Sequence, residues 1–251
     1  MKPSKIKPGD FFPTNDGGSV VVVEYQNASH VLVKHNDEHG HISDVHAGHL
    51  RNGKIRNPYL PSVYGIGFLG EMVKKSNLDE RNAKSYSLWV SMLSRAYCKK
   101  FHSRYPSYNG VTVCEGWHNF QVFSEWANNQ KNSSNKLFHL DKDLRVLGSK
   151  EYSPCTASFV PKEINTLLGD SKSARGKFSQ GVSIVNGSWF RAQISINGER
   201  LRLGTYETPE RAFQVYQAAK EAHVKSMAKK WKNSLHPEVF LSLINYKVKR
   251  H

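Results

Sequence analysis

The chain opens on runs of β-branched residues. Gly17-Gly18 precedes Ser19-Val20-Val21-Val22-Val23-Glu24-Tyr25, Gln26-Asn27 breaks the run, and Val31-Leu32-Val33-Lys34 follows. Such runs between turn residues read as adjacent strands, and a small half-open barrel is expected for residues 1 to about 60. Pro58, Pro61, Gly65, Gly67 and Gly70 then interrupt regular structure, and the polar stretch from Lys74 to Lys84 reads as a linker or extended arm. From Tyr86 the period changes: Leu88, Trp89, Met92, Leu93 and Tyr97 recur three and four residues apart, which gathers them on one helical face. A second helix is expected over Trp117 to Trp126, with Phe120, Phe123 and Trp126 on its buried side. A stripe at helical period is core before it is a base-stacking platform.

Beyond Leu137 the order is strand, loop, strand, helix. Leu137 to Leu144 leads to a turn at Gly148, then to Tyr152-Ser153-Pro154, Phe159-Val160-Pro161 and a short helix near Lys162 to Leu168. Gly169 to Lys177 is rich in Gly, Ser, Lys and Arg and poor in apolar residues, which makes it a second linker. The last segment has the cleanest pattern. Gly181 to Val185, Trp189 to Ile196 and Arg200 to Tyr206 are three short strands, separated by Asn186-Gly187 and Asn197-Gly198, the strongest hairpin signal because both residues tolerate positive φ. Thr208 caps a helix with Pro209 at its first position and Ala212, Tyr216 and Ala219 on its inner face, and Pro237 to Tyr246 adds another. The fold class is α+β. It comprises a β domain over 1–70, a linker over 71–85, a helical and ββα domain over 86–170, a basic linker over 171–180, and a three-stranded antiparallel sheet with helices over 181–251.

Charge sharpens this map. The 251 residues carry 36 Lys and Arg against 21 Asp and Glu, a net +15. The excess is +1 over residues 1–70, +4 over 71–170 and +10 over 171–251, so the last third is the part that faces a polyanion. Phosphate backbones attract such a surface by counterion release, whereas an anionic membrane would also require an amphipathic anchor or a lipidation signal, and neither is evident. Nucleic acid is the expected partner. With 38% hydrophobic and 11% aromatic residues, packed cores are affordable and a fully disordered chain is excluded. No run of 18 apolar residues and no charged-then-apolar leader occurs, so neither a membrane span nor a secretory signal is indicated. Cys98, Cys114 and Cys155 lack paired CxxC spacing, which points away from a disulfide framework or structural zinc and toward an intracellular, reducing setting. No small-molecule cofactor is implied. His39, His41, His46 and His49 crowd eleven residues, but no Cys accompanies them and Gly40 and Gly48 mark a loop, so a solvated or phosphate-facing segment is expected rather than a metal site.

Two resemblances rest on these residues. Residues 181–220 resemble the plant APETALA2 and ethylene-response-factor type DNA-binding domain, which also occurs in phage and mobile-element nucleases. The match is carried by Gly181-Val182, Trp189, Ala192-Gln193-Ile194, Leu203-Gly204-Thr205-Tyr206, Thr208, Glu210, Ala212, Tyr216 and Ala218-Ala219. The resemblance implies a sheet that lies in the major groove. Its reading surface would comprise Ser183, Val185, Trp189, Arg191, Gln193, Ser195, Arg200 and Arg202, with Lys172, Arg175 and Lys177 contributing from the basic linker. The family's first strand is rich in Arg where this chain has Ser183 and Val185, and Arg202 replaces an aromatic, so base preference does not carry over.

Residues 86–168 resemble a region of phage HNH-type homing endonucleases. The match lies in Trp89, Met92-Leu93, Arg95, Tyr97, Trp117, Phe120, Phe123, Trp126, Leu140-Asp141-Lys142-Asp143, Gly148, Tyr152-Ser153-Pro154, Phe159-Val160-Pro161 and Asn165. Residues 11–70 look like the N-terminal module of such proteins through Gly17-Gly18, Glu24-Tyr25, Val31, Gly65 and Gly67-Phe68-Leu69-Gly70. This resemblance implies a phage protein acting in a bacterial cytoplasm. It also implies a ββα centre in which Asp141, Asp143 and Asn165 hold Mg2+ or Mn2+ for phosphodiester hydrolysis. Lys142 stands where the common pattern has its general-base His. A lysine near its usual pKa of about 10.4 is protonated at neutral pH, which leaves His139 as the substitute base. The catalytic set is then His139, Asp141, Lys142 and Asn165. Two functions stay open: a metal-dependent DNA endonuclease or nickase, and a catalytically degenerate DNA-binding regulator or blocking protein.

Overall fold

A computed structural model describes residues 5–71, 79–169, 178–196 and 198–248. The architecture is mixed α+β, and contacts divide the chain into two compact units, Met1–Asn109 with Val113–Glu125 and Gly110–Thr112 with Trp126–His251.

The first unit begins with an antiparallel meander of β1 (Phe11–Pro13), β2 (Ser19–Asn27), β3 (His30–His35) and β4 (Ile42–Val45), followed by a short helix α1 (Ala47–Arg51). Val20 and Val22 on β2 and Val31 and Val33 on β3 alternate inward. Ile6, Ala47, Leu50 and Ile55 complete that core. The expected barrel does not form: β1 and β4 remain edges of an open four-stranded sheet. Four short strands are too few to close, and α1 with the flanking segments covers the apolar face that further strands would have covered.

Next comes α2 (Glu80–Tyr97), then α3 (Lys99–Arg104), the two-residue strand β5 (Thr112–Val113) and α4 (Phe120–Asn129). The linker expected up to residue 85 is helical from Glu80. Asp79 caps α2 by accepting from the Asn82 amide at 2.7 Å, and Lys84 pairs with Glu80 one turn away at 2.8 Å. The aromatic stripe is core: Trp89, Trp117, Phe120 and Phe123 are all fully buried, and the Trp89 indole donates to the Trp117 carbonyl at 2.7 Å.

The second unit contains β6 (Phe138–Asp141), β7 (Glu151–Tyr152), β8 (Ser158–Pro161) and α5 (Lys162–Leu168). A three-stranded antiparallel sheet follows, built from β9 (Val182–Val185), β10 (Trp189–Ile196) and β11 (Glu199–Tyr206) with β10 in the centre, and then come α6 (Pro209–Trp231) and α7 (Pro237–Ile244). Asn186 and Gly187 turn the first hairpin with φ of 52° and 77°, as the dipeptide predicts. Thr208 caps α6 by accepting from the Arg211 amide.

One helix serves two cores. In its first half Ala212, Phe213 and Tyr216 pack on Ala192 and Ile194 of the sheet. In its second half Val224, Met227 and Ala228 join Val160, Ile164, Val239 and Leu243 around β8, α5 and α7. α6 thus packs against both halves of the second unit. Gly181 marks how closely the sheet approaches α6: its φ is +78°, and a Cβ there would fall 2.0 Å from the Tyr216 ring.

Candidate nucleic-acid interface

The pairing register fixes which side chains share a face. On β10 Phe190, Ala192, Ile194 and Ile196 point toward α6, so Trp189, Arg191, Gln193 and Ser195 point away from it. Residues directly opposite in an antiparallel pair lie on one side, which adds Val185 and Ser183 from β9 and Arg200 and Arg202 from β11. The register shifts between Ala192 and Gln193, so Leu203 is an extra residue on β11 and Thr205, opposite Arg191, also reaches the outer face. Thr205 is absent from the surface inferred by alternation alone; the local signal for the bulge that places it there is Gly204, inside β11 with φ of 133°.

The charged side chains on this face are all cationic. Arg200 and Arg202 are exposed, Arg191 is half-buried, and among the described residues none of the three forms an ion pair. The one acidic side chain in β9 to β11, Glu199, lies opposite Ile196 and so on the helix side. Trp189 keeps 45% of its surface exposed at the rim, two residues along β10 from Arg191 on the same face. Lys172, Arg175 and Lys177 lie outside the described residues.

The strand-loop-strand segment holds the expected nuclease residues, and their hydrogen bonds show how they are used. β6 and β8 pair with His139 opposite Val160 and Asp141 opposite Ser158. His139 thus shares a face with Val160, which is fully buried in the core formed with α6 and α7. Asp141 turns its Oδ1 back into the loop, where it accepts from the amides of Asp143 and Leu144 at 2.9 Å each. Burial, followed by the neighbouring Asp143 charge, pushes its carboxyl above the usual carboxylate range. Lys142 is 6% exposed; its ammonium donates to the Asp143 carboxylate and, at 3.0 Å, to the Ser149 carbonyl, and it lies 5.8 Å from the centre of the Tyr152 ring.

Through these bonds the Lys142 ammonium fastens the loop between β6 and β7. Of the carboxylates expected to hold an ion, Asp141 accepts two backbone amides at Oδ1 and Asp143 pairs with the Lys142 ammonium. Asn165 sits half-buried on α5, and among the described residues no hydrogen bond joins it to Asp141 or Asp143. No group of three or more His, Cys, Asp or Glu that could hold an ion occurs among the described residues. Arg145 ties the same region together: its guanidinium meets Glu238 of α7 at 2.9 Å and donates to the carbonyls of Pro154 and Ala157.

The histidines of the first unit divide into two groups. His39 stacks on Tyr59 at 4.2 Å with His41 at the edge of the same ring, whereas His46 and His49 belong to the start and body of α1, where His46 accepts from the Gly48 amide. No disulfide joins Cys98, Cys114 or Cys155. Among the described residues no helix is long and apolar enough to cross a membrane. Comparison of the chain with family models, with curated proteins and with solved structures finds no match.

Proposed function

We propose that this protein binds double-stranded DNA through the outer face of the β9–β11 sheet, and that the β6–β8 segment is a structural remnant of a nuclease fold that does not cut. The observation that carries the reading is the set of three arginines without ion pairs, Arg191, Arg200 and Arg202, on a sheet face that bears no acid. A guanidinium fork can donate two bonds to a guanine edge or to a phosphate, and a narrow antiparallel ribbon fits the major groove. β10 spans eight residues, roughly 26 Å of strand, enough to follow the groove past several base pairs. Binding without cleavage is favoured by Lys142 and Asp143, which neutralise each other where a metal and a base would be needed.

Duplex binding by the parent chain and by the triple variant Arg191→Ala, Arg200→Ala, Arg202→Ala tests the first half. The variant is expected to bind at least about tenfold more weakly, since each lost charge-assisted bond is worth about 1.5 kcal/mol or more. Equal binding by the two would place the DNA elsewhere. Nicking of long duplex DNA in Mg2+ or Mn2+ tests the second half. No metal-dependent product is expected, and cleavage that disappears in Asp141→Ala and His139→Ala would restore the nuclease reading.

A further inference from the structure

Beyond the sheet face, the second unit contains a cavity of about 860 Å³ between the β10 edge, α5 and α6. β9 pairs with β10 only as far as Ala192, and after Gln193 that edge of β10 is open, so Gln193 and Ser195 line the cavity. A strand edge presents backbone donors and acceptors in a row. The opposite wall carries Tyr216, Met227 and Trp231. One side of the cavity is thus a hydrogen-bonding ribbon and the other is apolar and aromatic.

The charged groups settle what enters. Glu163 is the acidic side chain of the lining, and it is already committed to the Lys230 ammonium and the Trp231 indole N–H. Lys162, Lys220 and Arg200 have no anionic partner among the described residues. Lys220 is the unusual one: it is 7% exposed in the middle of α6, and among the described residues its ammonium makes one hydrogen bond, to the Leu167 carbonyl at the end of α5. Two of its three donors remain for a ligand. An excess of buried and rim cations beside a flat apolar wall suits an anion that carries an aromatic ring.

We infer that this cavity binds a nucleoside monophosphate, its phosphate on Lys220 and its base between the aromatic wall and the open β10 edge. The volume lies within the range of sites that enclose small ligands. The monophosphate can be a free nucleotide or the phosphorylated end of a DNA strand, and the chemistry is the same for both. The site borders the groove-binding face, sharing Gln193, Ser195 and Arg200 with it, whereas Arg191 and Arg202 do not line it.

Isothermal titration of the full chain tests this with thymidine monophosphate, thymidine, inorganic phosphate and a single-stranded dodecamer with and without a 5′-phosphate. The monophosphate is expected to bind at least about tenfold more tightly than thymidine or phosphate, a difference of about 1.4 kcal/mol. Lys220→Met, which keeps the buried stem and removes the charge, is expected to weaken it by about tenfold or more while thermal unfolding stays the same or rises. Lys162→Ala, at an exposed rim position, gives a smaller loss in the same direction. Arg202→Ala leaves nucleotide binding unchanged while weakening duplex binding, so the two proposals fail independently. A strand whose 5′-phosphate strengthens binding identifies the strand end as the source, and indifference to that phosphate identifies the free nucleotide. Inorganic phosphate binding as tightly as the nucleotide, undiminished binding by a folded Lys220→Met, or no binding of any of these at millimolar concentration overturns the inference.

Discussion

Replacing Lys142 by methionine keeps an aliphatic stem in place beside Tyr152 and removes only the ammonium, which isolates what that charge does. The bond to the Ser149 carbonyl at 3.0 Å is charge-assisted and worth about 1.5–3 kcal/mol net. The pair with Asp143 adds little because that carboxylate is 52% exposed and screened by solvent. Relief of the buried ammonium's own desolvation offsets part of the loss. Lys142→Met is therefore expected to lower stability by about 1–2 kcal/mol, with the summed terms good to a factor of two. Lys142→Ala also forfeits three methylenes at about 0.8 kcal/mol each and is expected to cost about 3–4 kcal/mol. Urea unfolding measures both, with an unchanged slope showing that the unfolded reference is the same. A methionine variant within about 0.5 kcal/mol of the parent would refute the reasoning, since surface substitutions alone produce changes of that size. The ammonium would then not be what fastens the loop.

Two further outcomes follow from titratable groups and their partners. Asp141→Asn keeps an oxygen to accept the two loop amides and removes a buried charge, so at neutral pH it should be as stable as the parent or more so. That advantage should shrink in acid, where the parent carboxyl protonates, whereas Asp141→Ala, which also loses the amide bonds, should be about 1–2 kcal/mol less stable than Asp141→Asn at any pH. His35 is buried against Ser43, and desolvation, then the nearby His41, hold its pKa below the ordinary histidine value. Its unfolded form therefore takes up a proton more readily than its folded form. Stability should be complete above about pH 6.5 and decline below it, until the folded imidazole also protonates. In His35→Gln part of that decline, at most about 1.4 kcal/mol per pH unit, should vanish in denaturation curves recorded between pH 7.5 and 5.

The C-terminal sheet was legible because every local signal agreed: strand alternation, the Asn186-Gly187 turn and the Thr208-Pro209 helix start all report the same register. Arg191, Arg200 and Arg202 could be placed on one face from that period alone. Thr205 could not, since a single extra residue at Leu203 reverses the alternation, and its one sign is the neighbouring strand glycine Gly204 rather than the hydrophobic pattern. At the N-terminus β-branched composition identified the strands but not whether they close, a property set by how many strands exist and by what else, here α1 and Ile55, covers the apolar face. The start of α2 was hidden by its polar first turn, where Asp79 and the Glu80–Lys84 pair substitute for apolar periodicity. Lys142 shows the limit most clearly. Its place where the resembled pattern has a general-base histidine suggested chemistry, and only the distance to the Ser149 carbonyl, seven residues on, reveals a fastening.

The central claim is most directly tested by the salt dependence of duplex binding, measured by fluorescence anisotropy for the parent and for Arg200→Ala, Arg202→Ala. If the three arginines each neutralise a phosphate, the logarithm of the association constant should fall with the logarithm of salt at a slope of about −2.7. In the double variant the slope should relax to about −0.9. Equal slopes and equal affinities for the two proteins would contradict a DNA-binding role for this sheet.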